Sequence, residues 1–125
     1  RIMLVIRRVI SQRGGIGVYL FDEIDAGIGG QTAFQVGKKL KSVAEYHQVI
    51  CITHLPQIAA FADHHLNVEK TDVKGRTYTR VLHLDPSGKR DEIARMLGGP
   101  KLTQKNLENA QELLQMASGG KKARA

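Results

Sequence analysis

The stretch GVYLFDEIDAGIGG, from Gly17 to Gly30, joins an apolar run to a group of carboxylates and then to glycines. The run VYLFDE is continuously apolar up to its acids, which is typical of a strand covered on both faces in a parallel sheet. Asp22, Glu23 and Asp25 crowd together at its end, although neighbouring carboxylates repel one another and resist losing water. We therefore expect a cationic group to meet them there.

A helix and a second strand are predicted after the carboxylates. Apolar residues recur at helical spacing between Gln31 and Tyr46, and the run QVICIT that follows is a second apolar strand. A strand, a helix and another strand form a βαβ unit, whose two strands are parallel. The second strand ends in Thr53 and His54, so these residues should lie at the same sheet edge as the acids, where ligands of open α/β sheets bind.

The rest of the chain predicts a β-hairpin between helices. A short helix enters through Pro56, and the alternating runs HLNVEKT and RTYTRVLHL form a hairpin joined across DVKG. The run KRDEIARMLGG predicts a helix that ends at Gly98 and Gly99, and Thr103 is placed to cap the last helix. A further helix is predicted in RIMLVIRRVISQ at the start. The fold class is therefore α/β, with a parallel βαβ core followed by a hairpin and C-terminal helices.

The composition favours a soluble domain with a polyanionic partner. The 125 residues fit one domain, 42% of them are hydrophobic, and the formal net charge is +7. From Lys70 onward there are 12 lysines and arginines against 6 acids, whereas the first 69 residues hold 7 against 6. No stretch approaches the roughly 18 uninterrupted apolar residues of a membrane span, so no membrane partner is predicted.

The two strand ends carry residue types suited to phosphate chemistry. An apolar strand that ends in an aspartate is how P-loop NTPases hold Mg²⁺, a hard cation that prefers oxygen ligands, and Asp22 occupies that position. A carboxylate directly after it, here Glu23, can orient or deprotonate an attacking water. His54 can hydrogen-bond a terminal phosphate. The glycines of DAGIGG allow a backbone to approach a ligand or partner closely.

The same segments resemble a known family. VYLFDEID followed by VICITHLPQIAAFAD resembles the Walker B and switch-histidine region of SMC and ABC-type ATPase heads. FDEIDAGIGGQTAFQVGKKL, THLPQIAAFADHHLNVEK, and DEIARMLGG with TQKNLENAQELL are similar to the C-terminal ATPase-head lobe of the RecN family, bacterial SMC-like DNA repair proteins. The resemblance covers residues 1–117, which it implies are one lobe of the head, and leaves residues 118–125 as a basic flexible tail.

The resemblance implies roles for individual residues and the cofactors ATP and Mg²⁺. Asp22 matches the Mg²⁺-associated Walker B aspartate, Glu23 the catalytic base, and His54 the histidine that senses the γ-phosphate. The segment after Walker B, which lies at the head–head interface, is matched by a set of cofactor-binding residues: Asp25, Gly27, Gly29 and Gly30. Many family heads carry an aspartate where this chain has Gly29, so a contact through that side chain is not expected here.

The resemblance also implies partners. The phosphate-cradling pattern G-x-x-x-x-G-K-[ST] occurs nowhere in the sequence. In the family it lies in an N-terminal Walker A lobe, so this chain would supply half of an active site and be inactive alone. The implied function is Mg-ATP hydrolysis at an interface between two heads of a homodimer, in the repair of DNA double-strand breaks and recombination. DNA is a further implied partner, and the implied location is cytoplasmic and nucleoid-associated.

Two alternative functions remain open at this level. The first is a non-enzymatic DNA-binding module, whose contacts would be to phosphate because no base-reading motif is present. Its candidate cations, which could equally serve the ATPase, are Lys70, Lys74, Arg76 and Arg80 on the hairpin and Lys121, Lys122 and Arg124 in the tail. The second is a metal-dependent phosphoesterase, with a transition metal bound by imidazole and carboxylate groups. Its candidate ligands are Asp22, Asp25, His54, His64 and His65.

Overall fold

The computed structural model describes residues 17–119, which form four strands and four helices. In chain order they are β1 (Val18–Asp22), α1 (Gly30–Ala44), β2 (Gln48–Ile52), α2 (Pro56–Ala59), β3 (His65–Val73), β4 (Arg76–Leu84), α3 (Pro86–Gly98) and α4 (Gln104–Ala117). This order confirms the predicted α/β class, with a βαβ unit, a hairpin and C-terminal helices. The helix predicted in RIMLVIRRVISQ lies outside the described residues, as does the basic tail after residue 119.

The βαβ unit forms the first of two hydrophobic clusters. Strands β1 and β2 pair in parallel, with a register that runs from Val18 opposite Gln48 to Asp22 opposite Ile52. Helix α1 packs on this pair through four of the residues that its periodicity predicted to be inward, Ala33, Val36, Leu40 and Val43, whereas Gly37 lies against Phe61 and Gln57. Phe21 is buried in the same cluster as those four. The parallel pairing brings the carboxyl ends of both strands to one edge.

Only one face of the β1–β2 pair is covered by described residues, and the expectation of a doubly covered strand is wrong for this part of the chain. Successive side chains of a strand point to opposite faces. Phe21 faces α1, whereas Val18 and Leu20 are 51% and 65% exposed. In the parallel register Leu20 lies opposite Ile50, which is also exposed, as is Ile52 on the same face. The reason is that α1 lies on one face and no other described helix lies on the opposite one.

The hairpin is longer than predicted because its turn is tighter. Strands β3 and β4 pair antiparallel from His65 opposite Leu84 to Val73 opposite Arg76. Lys74 and Gly75 alone connect them, with φ of 49° and 76°. Positive φ at both central residues is the signature of a type I′ turn, whose twist matches that of the strands. The first two residues of the predicted DVKG loop therefore belong to β3.

The C-terminal helices pack on each other and form the second hydrophobic cluster. Ile93 and Ala94 of α3 and Ala110 of α4 are fully buried there. Thr103 caps α4 as predicted, since its hydroxyl accepts a hydrogen bond from the backbone of Asn106 at 3.1 Å. Helix α3 begins at Pro86, three residues before the predicted start, because Asp85 is its cap. An aspartate followed by proline is a helix-start signal that the sequence offered.

Candidate active site

The candidate site lies where β1 and β2 end side by side. Asp22 is the last residue of β1 and pairs with Ile52, and Thr53 and His54 follow directly on β2. Between β1 and α1, the loop 23–29 returns toward this edge. The predicted meeting of the two strand ends is confirmed by hydrogen bonds that join the loop to the residues after β2.

Asp25 is the centre of these hydrogen bonds. Its side chain is buried, with 5% of the residue exposed, and one oxygen, Oδ2, accepts two hydrogen bonds and lies close to a ring nitrogen. The Thr53 hydroxyl donates at 2.6 Å, the backbone N–H of His54 at 2.8 Å, and the Nδ1 atom of His54 lies at 2.9 Å. A buried carboxylate costs several kcal/mol unless it is hydrogen-bonded or paired, so these contacts explain how the loop can place one here.

The hydrogen bonds keep Asp25 ionised. Burial alone raises the pKa of Asp25, but the donors from Thr53 and the His54 backbone outweigh it and lower the pKa below its ordinary value. Cys51, on β2, is affected in the opposite sense: burial and then the charge of Asp25 raise its pKa to about 11. The thiol is therefore protonated at neutral pH and is not a nucleophile here.

Glu23 adopts an uncommon backbone conformation at the end of β1. Its φ is 53°, in the left-handed region that non-glycine residues rarely occupy. The other non-glycine residue with positive φ among residues 17–119 is Lys74, and its type I′ turn requires that conformation. No turn of that type explains Glu23, and such strain costs about 1–3 kcal/mol and clusters at functional sites. Its carboxylate is exposed beyond the strand end.

The glycines of the loop have separate structural roles. Gly27 has a φ of 75°, where an L side chain would be strained. Gly29 is the N-cap residue that precedes α1, and no side-chain cap hydrogen bond is made there. A Cβ atom on Gly30 would lie 3.4 Å from the side chain of Gln57 on α2. The loop backbone is therefore open to approach at Gly27 and Gly29, while Gly30 packs within the chain.

Asp22 fits a magnesium ligand by its chemistry and position. Its carboxylate is exposed, and no side-chain hydrogen bond or ion pair joins it to another described residue. Mg²⁺ binds through one or two carboxylates, keeps several waters, and takes its other ligands from substrate phosphates. One free carboxylate at a strand end is sufficient for that mode of binding. Asp22 also shares its sheet face with the exposed residues Leu20 and Ile52.

Thr53 belongs to the candidate site through its hydrogen bonds, although its sequence position alone indicated no role for it. Its hydroxyl donates to Asp25 and accepts from the backbone N–H of Leu55 at 3.0 Å. It therefore links the loop after β1 to the segment that enters α2. The sequence signal that could have identified Thr53 is a hydroxyl side chain directly before a histidine at the end of a strand.

The residues of the alternative metal site are not brought together. Asp25 and His54 are in contact, but His64 Nδ1 lies 3.3 Å from His83 Nε2 across the hairpin. Burial lowers the pKa of His65, and Lys89 adds to that shift. Within residues 17–119, no group of three or more histidine, cysteine or acidic side chains is placed to bind a metal. The phosphoesterase hypothesis has no supporting geometry in this part of the chain.

The hairpin cations are exposed but do not form one cluster. In the alternating pattern Arg76 and Arg80 share a face of β4, with Tyr78 between them. Lys70 lies on the opposite face, and Arg80 pairs across the strands with Glu69. The tail cations Lys121, Lys122 and Arg124 lie outside the described residues.

Within residues 17–119, no helix has the length and apolarity needed to cross a bilayer.

Comparison with known proteins identifies relatives of the whole described chain. It is 42% identical over 118 residues to the DNA repair protein RecN of Halalkalibacterium halodurans, and 43% over 116 residues to that of Haemophilus influenzae. The RecN of Bacillus subtilis is 42% identical over 117 residues. These alignments cover 93–94% of this chain but only 20–21% of each relative, so the chain spans about a fifth of their length. No protein-family model matches it.

A solved structure supports the fold. A chain from work on the ATP-driven dimerization and DNA-stimulated activation of SMC ATPases superposes with a TM-score of 0.54. The match covers 69% of this chain and 50% of the other, at 24% sequence identity, and therefore bears on the fold alone. The chain is thus related over nearly its full length to a C-terminal segment of the RecN DNA repair proteins, and it has the α/β fold of an SMC ATPase head.

Proposed function

We propose that the chain is the C-terminal lobe of an SMC-like ATPase that acts in the repair of DNA double-strand breaks and in recombination. The observation that supports this most strongly is the strand-end geometry. Glu23 follows β1 on a strained backbone with its side chain exposed, and at the end of the neighbouring strand a buried aspartate contacts His54. A DNA repair role places the whole protein in the cytoplasm, in association with the nucleoid.

Each strand-end residue has a separate role in this proposal. Asp22 supplies an oxygen ligand to the Mg²⁺ that accompanies ATP. Glu23 accepts the proton of the attacking water, a contribution of typically about 10²–10⁴-fold. His54 contacts the terminal phosphate, and the open backbone at Gly27 and Gly29 faces the second head of a homodimer.

The site needs a second lobe for the phosphates. Carboxylates repel phosphate, and the sequence contains no pattern of backbone amides and lysine that would cradle it. The exposed apolar face that carries Leu20, Ile50 and Ile52 also carries Asp22. A Walker A lobe that covers this face would therefore deliver bound phosphates to the carboxylate edge.

We expect the chain alone to hydrolyse no ATP above background, and to gain activity only when joined to a lobe that carries a phosphate loop. The reason is that the groups which bind the phosphates are missing. Phosphate release by the purified chain is compared with that of the chain co-purified with the N-terminal lobe. Turnover by the chain alone that disappears in Glu23→Ala would contradict the two-lobe proposal.

DNA contact through the hairpin is a second proposal, supported by exposed cations. Arg76 and Arg80 lie about 13 Å apart along β4, at roughly 3.3 Å per residue, on one face. That face can contact successive phosphates of a backbone. Glu69 opposes Arg80 across the strands and reduces the local charge, so the proposed contact is weak and sequence-independent.

Replacing Arg76 and Arg80 with glutamine is expected to flatten the salt dependence of duplex DNA binding. For every phosphate that is no longer neutralised, the slope of log K against log salt should become shallower by about 0.9. Binding of the two-lobe protein is measured by fluorescence anisotropy over a range of salt concentrations. Lys38 and Lys39, exposed on α1, provide the matched control when both are changed to glutamine. If both pairs changed the slope equally, the hairpin would contribute only general charge.

A further inference from the structure

His54 presents its two ring nitrogens to different environments. Nδ1 lies 2.9 Å from Oδ2 of Asp25, and the side chain as a whole is 77% exposed. An ionised carboxylate is only an acceptor, and a bare ring nitrogen at this distance would turn its lone pair toward it, so the favourable arrangement has a proton on Nδ1. The hydrogen bonds that lower the pKa of Asp25 keep that acceptor ionised at neutral pH. Nε2 is therefore the nitrogen left for an external ligand.

The carboxylate of Asp25 is hydrogen-bonded to the same backbone segment that carries the His54 ring. Oδ2 of Asp25 also receives the backbone N–H of His54 and the hydroxyl of Thr53. Thr53 in turn accepts from the backbone of Leu55, at the start of α2. Because the groups that contact the carboxylate come from two consecutive residues, Thr53 and His54, rotation of the carboxylate would break two hydrogen bonds and the contact with the ring at once. The ring orientation is therefore set by buried groups, although the ring itself is exposed.

We propose that Asp25 is a positioning residue that fixes His54 in the Nδ1–H tautomer and presents Nε2 outward at the carboxylate edge. In the neutral ring, Nε2 then has a lone pair and can only accept a hydrogen bond. A phosphate oxygen also only accepts, so His54 contacts phosphate only as an imidazolium, with Nδ1–H on Asp25 and Nε2–H on the phosphate. The tautomer follows from the geometry alone, whereas the phosphate contact rests on the function proposed above.

The charged groups at this edge agree with such a contact. Asp25 is the carboxylate that touches the ring, and Asp22 and Glu23 are the other two acids at the end of β1. Helix α2, which follows the histidine, contains no charged residue. The charged groups on the elements that flank the ring are therefore carboxylates, and His54 contacts one of them, Asp25.

The tautomer is tested by NMR on the chain as it exists, with its histidine rings labelled with ¹⁵N. The ¹⁵N chemical shifts distinguish a protonated ring nitrogen from one with a lone pair, and His54→Gln assigns the signal. At a pH where the ring is neutral, we expect Nδ1 protonated and Nε2 bare. Nε2 protonated and Nδ1 bare in the unmodified chain would overturn the proposal.

Two variants separate positioning from general structural support. Asp25→Ala removes the acceptor, so the His54 signals should shift toward the Nε2–H pattern. Thr53→Val removes one donor to Oδ2 but leaves the carboxylate in place, so the His54 tautomer should not change. An unchanged tautomer in a folded Asp25→Ala chain would overturn the assignment of Asp25. The assignment would also be overturned if Thr53→Val shifted the His54 signals toward the Nε2–H pattern as far as Asp25→Ala does.

The phosphate contact is tested in the two-lobe protein carrying Glu23→Gln, which is expected to retain bound Mg-ATP. At a pH where the nucleotide-free ring is neutral, adding Mg-ATP should protonate both nitrogens of His54. A ring that stays neutral with ATP bound would overturn the imidazolium contact. Failure of the two-lobe protein to bind ATP would instead overturn the proposed function and its phosphate contact, while the tautomer is judged by the first measurement.

Discussion

Glu23→Gln in the two-lobe protein is expected to lower the rate of ATP hydrolysis by about 10²–10⁴-fold while ATP remains bound. The amide keeps the shape of the carboxylate but cannot take a proton from water. The structure places this side chain at the strand end through a left-handed backbone, and the substitution leaves that backbone unchanged. Because bound ATP is no longer consumed, head dimers should accumulate. Single-turnover hydrolysis and nucleotide-binding assays are run on the same preparation.

Asp22→Ala is the matched comparison, since it removes the neighbouring carboxylate. It should weaken the binding of Mg-ATP itself, because Asp22 is proposed to hold the metal. Raising the Mg²⁺ concentration should partly restore binding in this variant and should not restore turnover in Glu23→Gln. If the two variants had the same affinity for Mg-ATP, the division of roles between the two acids would be wrong.

The sequence predicted most of the fold because its signals were local. The periodicity of α1 identified its buried residues, and the residue type of Thr103 identified the cap of α4. The exposed face of β1 was not predicted. A continuous apolar run indicates that both faces of a strand become covered, but it does not indicate whether the same chain or another one covers them. That run is compatible with a second face covered by another lobe.

The residues of the candidate site could be predicted from the sequence, but the hydrogen bonds among them could not. Parallel strands brought the two strand ends together, as expected. The sequence could not show that Asp25 turns inward to His54, since a loop of glycines leaves the direction of a side chain open. The assignment of Asp25 to cofactor binding stays a prediction, and in the structure its side chain contacts Thr53 and His54. The backbone conformation of Glu23 is likewise set by the turn and not by residue type.

Replacing Leu20 and Ile50 together with asparagine is expected to abolish association with the Walker A lobe. The two residues are neighbours in the register on the exposed face of the β1–β2 pair, and both are large and apolar. Fully burying such a side chain is worth about 1.5–3 kcal/mol, so each substitution should weaken the Kd between lobes by about tenfold or more. An asparagine buried without a partner adds a further cost. Association is measured by analytical ultracentrifugation of separately purified lobes.

The same double variant should leave the isolated chain nearly as stable as before. Surface substitutions usually change the free energy of unfolding by less than about 0.5 kcal/mol, and both residues are exposed in this chain. Met116→Asn on α4 is the matched control, because Met116 is exposed and apolar but lies away from the sheet. It should alter neither stability nor association. If the double variant unfolded the isolated chain, the face would be covered within the chain itself. If association survived in a folded variant, the lobes would meet elsewhere, and Asp22 would need another route to the phosphates.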